Sequence, residues 1–334
     1  MSETTFRGRR AVSVENEALR VTVLVEGGHV AEILDKGTGV NPLWLPPWPS
    51  IEPSTYSAAG HPEYGNDSES KLLSGIMGHN LCLDLFGAPT AEEAAAGMTV
   101  HGEASVVPYA VSAAGNELTA AATFPVARLR FERKLRLDGR RVLFSETVEN
   151  LAPVDHPIAW TQHVTLGPPF VERGATQFRA PVARSYSLGE AREVTAQNLH
   201  TFPDAASSGG FTTHLMDPLR ENAFFLAYSP GSHLLVGYTW KRADFPWLGV
   251  WEENHSRMHA PWNGNAITWG MEFSASPLPE SRRAMISRNG MFGAQGYRWI
   301  PARSRVSLEY SAFVTAAHSL PENPDALPSG LTAA

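Results

Sequence analysis

Apolar and polar residues alternate with a period of two over much of the chain, most cleanly between Val126 and Leu137. Leu129, Phe131, Leu135 and Leu137 fall on one side of an extended chain there, and Arg128, Arg130, Glu132, Lys134 and Arg136 on the other. Successive side chains of a strand point to opposite faces, so this segment is a strand with one face in a core and the other in water. Asp138-Gly139 supplies a tight turn, and Val142 to Val148 the returning partner. A second hairpin is read in Leu19 to Val25, rich in β-branched residues, followed by Gly27-Gly28 and the run His29 to Leu34. Glu117 to Thr123, Ile158 to Leu166, Phe224 to Tyr228, Leu234 to Trp240, Ala266 to Ser274 and Val306 to Thr315 add further strands. Helix signals are scarce. The clearest is Ala91 to Ala96, where Thr90 and Glu93 have capping-box spacing.

This succession predicts an all-β fold, a large antiparallel β-sandwich or barrel with few short helices. The 28 glycines and 25 prolines are dispersed as punctuation, with no low-complexity linker and no repeat of fixed period, so residues 1–317 read as one domain. Residues 318–334 lack apolar periodicity and read as a loosely attached tail. With 334 residues, 43% of them hydrophobic, the chain can bury a sizeable core. Its 27 Lys and Arg against 34 Asp and Glu give a net charge of -7 without any dense basic run, which argues against a nucleic-acid partner. No apolar stretch approaches the roughly 18 residues of a membrane span, and the opening residues are polar. Cys82 is the single cysteine, so no internal disulfide forms. A cytoplasmic protein with no membrane partner is the expectation.

The chain has no G-x-S-x-G elbow, no phosphate-binding glycine loop and no C-x-x-C, and nothing in it calls for a cofactor. What remains are histidines and carboxylates in aromatic, glycine-flanked settings: Gly78-His79-Asn80 running to Asp84 and Phe86-Gly87; His101-Gly102-Glu103; Trp160-Thr161-Gln162-His163; and Trp269-Gly270-Met271-Glu272. His163 lies in an apolar and hydroxylic strand, so its ring is either a hydrogen-bonded core group or a group facing a cleft. His101 precedes a glycine, which allows close approach of a ligand or of backbone. Glu272 sits among Trp, Met and Phe, where a carboxylate is costly without a partner; a base or a buried ion pair explains it equally well.

In this order the segments resemble the aldose 1-epimerase, or galactose mutarotase-like, family over about residues 15–315. Gly78 through Gly87 followed by His101-Gly102 is similar to its first histidine motif, Val148-Glu149-Asn150 and then His163 to its second, and Phe245-Pro246-Trp247-Leu248 and Trp251 ending at Glu272 to its C-terminal glutamate region. The resemblance implies a galactose mutarotase-like supersandwich and a carbohydrate substrate. It implies Glu272 as base, His163 as acid at the ring oxygen and His101 as a group that binds and polarises the sugar. Trp251, Trp44 or Trp160 would stack on the sugar, and His79, Asp84, Glu103, Glu253 and Arg257 are candidate hydroxyl partners. Three positions depart from the family: Ser105 stands where an arginine is common, Phe273 where proline often follows the glutamate, and Glu103 adds a carboxylate. Arg257 follows Glu252-Glu253-Asn254 in what reads as a polar loop, so a solvated arginine is as good a reading.

Two rival classes share these residues. If His101 and Glu103 lie on one strand they share a face, and with His79 or His163 they would form a metal-dependent isomerase site. His255 and His259 have i,i+4 spacing, but Pro261 and Asn263-Gly264 argue for loop. The same sandwich could also bind carbohydrate without catalysis.

Overall fold

A computed structural model describes residues 4–326: two large antiparallel sheets, of twelve and nine strands, packed through their inner faces. Both expected hairpins are present. Leu19–Leu24 pairs with Val30–Asp35, and Leu129–Asp138 with Arg141–Asn150, in register from Leu129 opposite Asn150 to Asp138 opposite Arg141. Among the described residues there are three short α-helices, α1 (Ser70–Leu73), α2 (Ala91–Ala95) and α3 (Arg282–Arg288). Helix α2 carries the expected capping box, with Thr90 Oγ1 accepting from the Glu93 amide and the Glu93 carboxylate from the Thr90 amide.

Burial alternates residue by residue along Leu129–Asp138, with one consequence the apolar pattern hides. Arg133 lies on the buried face between Phe131 and Leu135. Its Nε donates to Glu146 Oε1 at 2.7 Å, Nη2 to Gln162 Oε1 at 3.0 Å and Nη1 to the Gly28 carbonyl at 3.3 Å. A guanidinium so deep is tolerated because all three nitrogens find acceptors and a carboxylate balances the charge. Trp160 Nε1 and Gln162 Nε2 donate to the other oxygen of Glu146, so a closed polar network sits inside the sandwich.

Five adjacent strands of the twelve-stranded sheet position the chemistry. In spatial order they are His79–Asp84, His156–Leu166, Ile267–Ser274, Trp247–Asn254 and Ser208–Met216. Trp247–Asn254, whose polar end suggested a loop, is a central strand, and its two neighbours supply the hydrogen bonds that loop polarity would have sought from water. The registers align one residue from each strand: Asn80, His163, Glu272, Gly249 and Thr213 form a row on the outer face.

That outer face is roofed. Trp44, Trp48, Tyr64, Leu72, Trp251 and Trp262 make a second apolar cluster, with Trp44 stacked on Trp262 at 5.8 Å between centroids. Met285 of α3 packs beside it on Cys82, Phe86 and Ala159. After the last strand, Arg305–Ala316, the side chains of Ala317 and Leu320 pack on Phe224, Leu226, Tyr228 and Phe313. Of the expected tail, residues 327–334 lie outside the described residues.

Candidate active site

Register alone brings His163 and Glu272 together, since they are directly paired across two strands and point to the same face. His163 Nε2 stands 3.2 Å from Glu272 Oε1. A missing side chain makes room for the carboxylate: a β-carbon on Gly270 would lie 2.7 Å from Glu272 Oε1. The His163 Nδ1 is 2.9 Å from the Thr165 hydroxyl, which fixes the ring plane.

His101 reaches the same place from a turn. It has φ 65° and Gly102 φ 78°, and a β-carbon on Gly102 would stand 2.0 Å from the Leu83 carbonyl oxygen, so the glycine admits neighbouring backbone. The His101 ring packs edge-on to His163 with centroids 5.2 Å apart. Its Nδ1 bonds the Phe86 carbonyl, an acceptor only, so the proton sits on Nδ1 and the neutral ring keeps a lone pair on Nε2. Trp251 walls the other side of His163 at 5.8 Å.

Glu272 and His163 are only 2% and 5% exposed. Burial raises the Glu272 pKa to about 8, the Arg257 charge opposing the rise. Burial likewise drives His163 well below the ordinary imidazole value, and His101 downward despite the Phe86 carbonyl. Desolvation thus favours the neutral form of all three groups.

Arg257 is not a free surface arginine. Its guanidinium lies 5.2 Å from the Trp251 ring centroid and 4.8 Å from that of Trp262. Glu69 and Glu253 stand 3.7 and 3.6 Å from it. Glu253 accepts from the Ser256 amide and hydroxyl, both at 2.6 Å, and from the Arg257 amide, so it shapes the loop that presents Arg257.

The remaining expected partners are held elsewhere. His79, one residue from Asn80, points to the opposite face and into the core, with Nε2 2.9 Å from Gln162 Oε1. Trp160 also faces the core, and Trp44 lies within the roof. Asp84 is four residues from Asn80, about 13 Å along the strand, and there pairs with His156 at 2.7 Å and with Arg282. Glu103 accepts from the amides of Val126 and Ala127, at 3.3 and 2.8 Å. The segment from His101 to Glu103 is a turn, so the shared strand face that a His101/Glu103 metal set needs does not exist. Among the described residues no three His, Cys, Asp or Glu side chains are grouped to hold a metal ion. Ser105, where the resemblance would call for arginine, donates to the Leu81 carbonyl and accepts from Asn80 Nδ2. Phe273, in the place of proline, stacks on Trp240 in the core. A cavity of about 670 Å³ on the outer face of the other sheet is lined by Lys134, Arg136, Ser145, Thr239 and Glu309, and none of the candidate site residues lines it.

Sequence reasoning missed Phe211. Its ring leans across Gly249, and a β-carbon there would stand 2.7 and 3.0 Å from two of the ring carbons. Nothing in the local pattern around Ser208-Gly209-Gly210-Phe211 marks it, because its value comes from the neighbouring glycine on another strand.

The two-sheet sandwich has the fold of several solved structures. A candidate aldose 1-epimerase from Klebsiella pneumoniae superposes with a TM-score of 0.67 at 15% identity, over 93% of this chain and 80% of that one. A galactose mutarotase related enzyme from Lactobacillus acidophilus gives 0.65 at 10% identity over 93% and 99%. A galactose mutarotase-like protein from Clostridium acetobutylicum gives 0.63 at 14% over 94% and 98%. Identities this low speak for the fold alone. By sequence, residues 7–261 match the family described as Domain of unknown function (DUF4432), and the chain belongs to that family. No curated protein matches it in sequence. None of the described helices is long and apolar enough to cross a membrane.

Proposed function

We propose that the protein is an aldose 1-epimerase-like isomerase that interconverts the anomers of a sugar by proton transfer. The observation that carries this reading is the Glu272–His163 contact of 3.2 Å, buried, with the His101 ring beside it. Ring opening needs a base for the proton of the anomeric hydroxyl and an acid for the ring oxygen. In the empty site the pair holds one proton, resting on Glu272 because burial favours the neutral forms. The anomeric hydroxyl of an entering sugar donates to the Glu272 carboxylate and so favours the charged pair with the proton on His163; Glu272 then accepts the hydroxyl proton while His163 gives its own to the ring oxygen. The proton lost by the sugar is on Glu272, the one it gained came from His163, and closure on the other face of C1 reverses both transfers. The His101 Nε2 lone pair accepts from a neighbouring sugar hydroxyl, and Arg257 donates to an oxygen at the mouth. Pre-organised groups in a site shielded from water give such transfers their advantage.

Two-dimensional exchange NMR on D-galactose, D-glucose, D-mannose, L-arabinose and a set of keto-sugars tests this directly. Accelerated anomer exchange is expected for at least one sugar, with loss of exchange in Glu272→Gln and a fall of at least about 100-fold in His163→Ala. Exchange at the native rate in either variant, or none in the unaltered protein, rejects the reading.

A further inference from the structure

We propose that Phe211 is a further substrate-contacting side chain of this site, covering Glu272 in the free protein and lying on the apolar face of the sugar ring once a sugar is bound. The inference rests on the sugar-binding part of the function proposed above. Three half-buried side chains ring the buried Glu272–His163 pair: His101, Arg257 and Phe211. His101 is tied to the Phe86 carbonyl, and Arg257 is held between two indoles and two carboxylates. Phe211 is held by packing alone.

Its position spans the mouth. The ring crosses Gly249 to the edge of Phe86, with centroids 5.9 Å apart, and it packs against both the Trp251 roof cluster and the Cys82, Phe86 and Met285 cluster. Gly249 is paired with Glu272, and a β-carbon on it would stand 2.7 Å from the Phe211 ring and 3.4 Å from the Glu272 β-carbon, so the ring lies against the Glu272 side of the pair. A pyranose cannot present its anomeric hydroxyl to a carboxylate that is 2% exposed unless a covering group gives way. Phe211 is the one free to do so by side-chain rotation, which breaks no hydrogen bond. Once displaced it offers a flat apolar surface beside the reacting edge, matched to the C–H face of a sugar. Gly249 is the structural counterpart, since any side chain there would occupy the space the ring crosses.

The test measures aldose affinity by calorimetry or saturation-transfer NMR, with D-galactose, D-glucose, D-mannose and L-arabinose as probes, alongside anomer exchange. Phe211→Leu and Phe211→Ala are expected to weaken the best-bound aldose about three- to tenfold, the scale of one aromatic contact, while Phe211→Tyr stays within about twofold. The leucine variant separates ring contact from bulk. If it binds like the native protein, Phe211 only fills space between Trp251 and Phe86 and the proposal falls. It falls equally if all three variants lose affinity alike, or if the unaltered protein binds no aldose, which also rejects the epimerase reading. Binding without exchange rejects the epimerase chemistry alone, and the three affinities then decide the role of Phe211.

Discussion

Glu272→Gln should destroy activity and yet stabilise the protein, by an amount that grows with pH. The carboxyl pKa stands near 8 in the folded chain against an ordinary 4.5. Between those values the unfolded chain has already lost the proton while the folded one keeps it, so the unfolded state binds fewer protons and stability falls as pH rises. The slope is about 1.4 kcal/mol per pH unit, and the full penalty above pH 8 comes to about 5 kcal/mol. Below about pH 4.5 both states are protonated and the penalty vanishes. Glutamine keeps the shape but never ionises, so it escapes the penalty at every pH. The assay is urea denaturation of both proteins at about pH 5, 6, 7 and 8, and the quantity to follow is the variant-minus-native difference, in which other titrating groups largely cancel. That difference should climb by about 4 kcal/mol across the series, on top of a constant offset from the exchanged hydrogen bonds. A difference constant to within about 0.5 kcal/mol would show that Glu272 ionises at an ordinary pH, and the tuned base would have to be abandoned.

Anomer exchange should decline as pH rises through about 8, where the Glu272–His163 pair loses its single proton, and Arg257→Gln should move that decline to higher pH because Arg257 holds the Glu272 pKa down; a pH–rate profile reads both. Gly270→Ala places a β-carbon 2.7 Å from Glu272 Oε1 and 3.1 Å from the Trp251 β-carbon, so the carboxylate must shift from its place beside His163. Exchange should fall about 100-fold, the usual cost of misplacing a reacting group by an ångström, with a circular-dichroism spectrum unchanged. Arg133→Met strands the Glu146 carboxylate in the core and should destabilise by about 3–5 kcal/mol in the same denaturation assay, whereas adding Glu146→Leu should recover most of the loss.

Much of the sandwich was legible because strands with one wet face advertise themselves. Leu129–Asp138 alternates in sequence as it alternates in burial, and Asp138-Gly139 turns the chain where expected. The strands that carry the site are harder to read. His79–Asp84 is buried at all six positions and Trp247–Asn254 at seven of eight, so neither side faces water and no alternation is imposed. Glu253 looks like a loop carboxylate in sequence, yet it is buried and occupied by Ser256 and Arg257. Arg133 is the converse, a charge that the period-two pattern places on the core face between Phe131 and Leu135 and that is indeed buried there.

The chain by itself determined the class of fold, through period-two patterning and turn residues, and it marked out His101, His163 and Glu272 by the unusual settings of titratable groups among aromatics and glycines. It did not determine which side of a sheet each group would face. His79 and Asn80 are neighbours, and one enters the core while the other lines up with His163 and Glu272, a distinction that follows from strand register and reverses with a shift of one residue. Likewise Asp84 and Glu103 went to structural partners, and Phe211 came to the mouth, because pairing between strands far apart in sequence, from Phe211 with Trp251 to His163 with Glu272, fixes which side chains share a face, and local sequence carries no record of that pairing.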